Sequence, residues 1–191
     1  MCTTEPHCIG DLLVRNEFGT MNTEIVGVIS NHEKLRSLVE RFNLPFHFIS
    51  HKNKERIEHE NEIHEILEQY EPEYIVLAKY MRILTPSFVA RYKHRLINIH
   101  HSFLPAFIGA NPYRQAYERG VKIIGATAHF VTDNLDEGPI IAQDVKRVGH
   151  RFSAKDMSKA GKDVEKIVLA NALSLVFNER VFIHGNKTII F

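Results

Sequence analysis

The chain has 191 residues, 44% hydrophobic and 25% charged, which is in the range of one globular domain with a sizeable core. A net charge of +1 and a pI near 7.9, with no Lys/Arg cluster or basic helix stripe, argue against a nucleic-acid partner. No apolar run reaches the roughly 18 residues of a membrane span, and the start lacks a signal-peptide core, so a cytoplasmic chain without a membrane partner is expected.

Cys2 and Cys8, both read as lying in an N-terminal tail, suit neither a disulfide framework nor a zinc site. Among the 12 histidines, His32, His51, His59, His64, His94, His150 and His184 have charged or polar neighbours and are expected at the surface. Strand and helix signals then alternate. The apolar, β-branched run 24–30 predicts a strand, and Asn31 is placed to cap a helix to about Phe42 with Leu35, Leu38 and Val39 on one side. Pro45 opens a short strand over 46–50. Residues 55–70 read as a charged helix with an apolar stripe of Ile63, Ile66, Leu67 and Tyr70, and 74–78 as a buried strand. A short helix from Pro86, a strand over 96–99 and a helix over 112–119 continue the βαβ rhythm, which predicts a Rossmann-like, doubly wound, mainly parallel sheet.

The last third reads differently. Segments 123–131 and 139–148 predict a strand pair joined by a loop that holds Asp136. Ser153 and Asp156 offer a capping box for a long helix carrying Val164, Ile167, Val168, Ala172 and Leu175. Segments 181–183 and 188–191, around the turn 184–187, predict a closing hairpin.

Asn98, His100 and Asp136 stand out chemically. An amide, an imidazole and a carboxylate can together hydrolyse a carbonyl compound, and period-2 geometry puts Asn98 and His100 on one face of their strand. The plainer alternative is an Asn capping a turn beside a packed His. Met81-Arg82-Ile83-Leu84, leaving the preceding strand, is either a ligand loop at a carboxyl strand end or an ordinary β-to-α connection ahead of Pro86. His100, His101, His129 and Asp136 could in principle bind a metal, but adjacent histidines on an extended segment should diverge, so no metal is expected. Gly109, Gly120, Gly125 and Gly138 are scattered and form no phosphate-binding fingerprint, so no nucleotide cofactor is indicated.

The stretches NIHHSFLPAF and GANPYRQAYERGVKIIGATAHFVTDNLDEGPIIAQDV, with HCIGDLL near the start and LAKYMRIL in the middle, closely resemble the catalytic domain of the formyltetrahydrofolate deformylase family. The resemblance runs over nearly the whole chain and implies the formyltransferase fold as a single catalytic domain over 1–191. It also implies hydrolysis of 10-formyltetrahydrofolate to formate and tetrahydrofolate in one-carbon and purine metabolism, with the folate as substrate and no cofactor. By the same resemblance Asn98, His100 and Asp136 are the catalytic set. The resemblance further implies that the pterin lies against the backbone of Met81, Arg82, Ile83 and Leu84 and of Thr132, Asp133, Asn134 and Leu135, and that the assembly is a homo-oligomer. The wider family includes glycinamide ribonucleotide transformylase, which shares Asn-x-His and the distant Asp but typically has Pro where this chain has His101. That transferase and a catalytically inactive, truncated folate-binding module are the two alternative readings. Family members carry an ACT-type domain and a first sheet strand ahead of the His-Cys segment, both expected to be absent here, which would leave sheet backbone unpaired.

Overall fold

Short apolar runs and amphipathic helices alternate along the chain much as its patterning predicts. The structure, a computed structural model, describes residues 1–106 and 112–191, so motif residues 107–111, Gly109 among them, lie outside the described residues. They divide into two units, one of Met1–Asn98 with Phe130–Gly138 and the other of Ile99–His129 with Pro139–Phe191.

The first unit begins with a helix missing from the expected order. Helix α1 (Pro6–Glu17) has Pro6 in its first turn and buries Cys8, Ile9, Leu12 and Leu13, a spacing that defines one helical face. Both cysteines are therefore fully buried core thiols outside any disulfide, rather than tail residues. Strand β1 (Val28–Ser30) is shorter than its apolar run, because the parallel ladder with β2 (Phe46–Phe48) starts only where Val28 N–H donates to Pro45 O at 2.9 Å. Asn31 does not cap the next helix. Its amide reaches His51 Nδ1 at 3.3 Å instead, and a 3₁₀ turn at Glu33–Leu35 leads into α2 (Arg36–Glu40).

Helix α3 (Arg56–Tyr70) packs Ile63 and Leu67 inward as expected, and it also buries His59, whose Nε2–H donates to Ile49 O at 3.0 Å. His59 is thus a satisfied core residue, whereas His94, His150 and His184 are exposed as expected. Strand β3 (Ile75–Leu77), α4 (Pro86–Arg91) and β4 (Leu96–His100) follow, with β3 and β4 in parallel register from Ile75–Leu96 to Leu77–Asn98. Ile29, Ile63, Leu67, Ile75, Leu77, Phe88 and Leu96 belong to the core of this unit.

The expected gap in the sheet is closed where it can be followed. Cys2 N–H donates to Ile29 O at 3.0 Å, the Met1 ammonium to Val76 O at 2.6 Å, and Ala78 N–H to Met1 O at 2.9 Å. Residues 1–2 thereby bridge β1 and β3 as a short strand would, and these backbone groups are paired rather than orphaned.

The second unit takes up the chain at Ile99 and contains α5 (Pro112–Arg119), β5 (Ile123–Phe130, whose last residue belongs to the first unit), β6 (Ile140–Arg147) and α6 (Ala154–Phe177). It closes with the hairpin β7 (Val181–His184) and β8 (Lys187–Ile190). Strands β5 and β6 pair antiparallel, with an irregularity at Ala128–His129. Ser153 and Asp156 form the expected capping box. The buried face of α6 runs through Val164, Val168, Leu169, Ala172, Leu173 and Val176, while Ile167, expected on it, is 50% exposed because it lies on the opposite side of the turn. No described helix is long and apolar enough to cross a membrane.

Candidate active site

Strand β4 is regular to its end, so Asn98 and His100, two residues apart, project from the same side of it. Asn98 is half-buried in the first unit, and His100, the first polar group past the boundary, is buried at 6% exposure in the second. Both leave the carboxyl end of a sheet strand, where open α/β sheets hold their ligands.

Asp136 belongs to the first unit, on a loop over 130–138 whose conformation is fixed by its own backbone. Val131 N–H donates to Leu96 O at 2.9 Å, tying the start of the loop to the start of β4. At the far end Gly138 runs so close to the Phe130 carbonyl that an added Cβ would overlap it. Within the loop, Thr132 Oγ1 donates to Asn134 O at 3.2 Å and Glu137 N–H to Asn134 O at 3.3 Å. Asp136 itself has φ of +58°, in the left-handed region that Asp and Asn tolerate better than other side chains. The carboxylate therefore stands on a rigid turn.

Met81–Leu84 is pinned just as firmly, but by side chains. Met81 N–H donates to Thr3 Oγ1 at 3.0 Å, and beyond the segment Thr85 N–H donates to the buried Glu60 carboxylate at 2.8 Å while its hydroxyl donates to the other carboxylate oxygen. Between these anchors Met81 and Ile83 are 59% and 53% exposed, and on the Asp136 loop Leu135 is 56% exposed. Apolar side chains presented to solvent on two anchored loops suit a flat, partly apolar ligand. Burial, and to a lesser degree the Arg82 charge, pushes the imidazoles of His51 and His59 below their ordinary range.

In the second unit the backbone after His100 is held by a residue that sequence reasoning missed. Thr127 on β5, fully buried, donates its hydroxyl proton to Ser102 O at 2.9 Å and accepts from Leu104 N–H at 3.0 Å and from Gln143 Nε2–H at 2.9 Å. Gln143 Nε2 also reaches Leu104 O at 3.1 Å. One hydroxyl, using its donor and both lone pairs, thus fixes the chain where it leaves β4. The signal in the sequence is faint: a Thr amid Gly125, Ala126 and Ala128 in a strand buried nearly throughout. Ser102, next to His101, keeps a buried hydroxyl with no partner among the described residues.

The expected divergence of the adjacent histidines is not seen. The strand stops at His100, and in the bend beyond it the His101 ring turns back to lie 5.1 Å from that of His100, at 45°.

Residues 1–173 match the formyl transferase family. The formyltetrahydrofolate deformylase of Haemophilus influenzae is 58% identical over 190 residues, which are 100% of this chain and 68% of the relative. A solved formyltetrahydrofolate deformylase from Pseudomonas syringae superimposes with a TM-score of 0.97 at 47% identity, covering 100% of this chain and 64% of that one. A glycinamide ribonucleotide transformylase from Symbiobacterium toebii shares the fold with a TM-score of 0.94 but only 28% identity, over 100% and 91% of the two chains. The chain spans about two thirds of the length of these deformylases. On the match over nearly its whole length and on the high identity, the chain belongs to the formyl transferase family and, within it, to the formyltetrahydrofolate deformylases.

Proposed function

We propose that the chain hydrolyses 10-formyltetrahydrofolate to formate and tetrahydrofolate, returning free folate to one-carbon metabolism and purine synthesis. The observation that carries this reading is the contrast in identity, 58% to a deformylase against 28% to a transformylase of nearly the same fold. In this mechanism Asp136 orients a water and takes its proton as the oxygen attacks the formyl carbon. The Asn98 amide and protonated His100 donate to the developing oxyanion, where one such donor contributes roughly 2.7–4 kcal/mol. The C–N10 bond then breaks, N10 takes the proton held by His100, and formate leaves. Neither a metal nor a cofactor is required by this sequence of steps.

The folate would lie with its pterin along the backbone of Met81–Leu84 and Thr132–Leu135. The exposed Met81, Ile83 and Leu135 side chains on those anchored loops support that placement. Assembly as a homo-oligomer is part of the reading, supported by the terminal hairpin, where Phe182, Ile189 and Phe191 are 60%, 47% and 67% exposed. Cys2 and Cys8, neither of them in a disulfide, suit a reducing cytoplasm. The test is formate release from 10-formyltetrahydrofolate with and without glycinamide ribonucleotide. Release to water alone is expected, and strict dependence on the amine would reassign the chain to the transferases.

A further inference from the structure

A glycine inside a long helix costs roughly 0.5–1 kcal/mol relative to alanine, so its presence calls for a reason. Gly161, in the second turn of α6, has one. A Cβ there would overlap the ring and hydroxyl of Tyr113 on α5, so the bare backbone is the berth of that phenol. From it the Tyr113 hydroxyl donates to Glu165 Oε1 at 2.5 Å, a carboxylate one turn further along α6 and only 1% exposed. The Tyr113 ring in turn meets His101 at 61°, with centroids 6.3 Å apart, in the edge-to-face range. His101 lies against His100 at 5.1 Å. All five residues belong to the second unit.

The His100–His101 segment is therefore held from two directions. Thr127 fixes the backbone that follows, and the Tyr113 ring packs edge-on with that of His101. We infer that Tyr113, locked by Glu165 and berthed on Gly161, is a positioning residue for the reaction proposed above, setting the orientation of His100 through the ring of His101. Tyr113 touches no reacting atom in this role. A misplacement of about 1 Å at a catalytic group can cost on the order of 100-fold in rate, so a partial loosening of the stack should be visible in kcat.

The inference rests on His100 acting in formyl hydrolysis, and the test separates the two. Tyr113→Phe removes only the hydroxyl and with it the bond to Glu165. Gly161→Ala keeps the hydroxyl but evicts the ring. Both are compared with the parent by formate release and by the imidazole NMR signals of His100 and His101. Tyr113→Phe is expected to lower kcat about tenfold at unchanged KM, with a lowered thermal midpoint because the buried Glu165 carboxylate loses a donor, and Gly161→Ala to lower kcat by at least as much, each with displaced His100 and His101 signals. Glu165→Gln, which keeps an oxygen to accept from the phenol, should retain kcat within about twofold. Tyr113→Phe with parental kcat and unmoved His100 signals overturns the inference. Displaced signals in a protein whose parent releases no formate would leave the positioning intact and instead refute the proposed activity.

Discussion

Two segments carry the proposed catalytic groups, and they are rigid for different reasons. The loop over 130–138 is held by backbone stereochemistry, with a left-handed residue at Asp136 and the close approach of Gly138 to the Phe130 carbonyl. The segment after His100 is held by side chains, chiefly the single hydroxyl of Thr127 with Gln143 behind it. A backbone constraint fails all at once when a Cβ is added, whereas a side-chain network loosens bond by bond. Substitutions in the two segments should therefore grade differently.

The largest effect is expected at Gly138. Alanine there cannot coexist with the Phe130 carbonyl, so the loop must open, costing at least about 4 kcal/mol and abolishing turnover. A variant with parental thermal midpoint and activity would show that the loop is not closed by this contact. Next is Asp136→Asn, which removes the base but keeps a residue that tolerates the left-handed region. Its kcat should fall at least about 100-fold while stability and folate affinity hold. Stopped-time formate assays and equilibrium folate binding separate those quantities, and near-parental kcat would remove the carboxylate from the mechanism.

Thr127→Val comes third. It preserves shape but takes the Thr127 hydroxyl from Ser102 O and Leu104 N–H and leaves Gln143 Nε2 only its bond to Leu104 O, for an expected loss of about 2 kcal/mol by urea titration, with a smaller fall in kcat than at Asp136. A loss in Thr127→Val as steep as that of Gly138→Ala would erase the distinction between the two kinds of rigidity. The smallest effect belongs to a position outside both segments. Ser153→Ala breaks the α6 capping box and should cost about 1 kcal/mol with kcat unchanged, a control for stability loss alone.

Much of this was legible from local pattern. Helix α5, the hairpin and the capping box fall at or within a residue of their expected places, since turn chemistry and helical or strand period are properties of neighbouring residues. Asn98 and His100 share a face for the same reason. Helix α1 is just as legible in the 8, 9, 12, 13 spacing behind Pro6. The burial of His59 was not legible, because its polar neighbours in sequence are not its neighbours in space: its partner is the Ile49 carbonyl.

The sequence by itself determined the alternation of elements, the one-sided placement of Asn98 and His100 and the family, all of which rest on residue order over short spans or on motif identity. Only the tertiary structure decided how the site is braced. Thr3 holds Met81 across 78 positions, Thr127 holds Leu104 across 23, Gln143 holds Leu104 across 39, and Tyr113 reaches Glu165 across 52. No local periodicity encodes such pairs, because each bond exists only after the chain has folded and brought two distant segments within hydrogen-bonding reach.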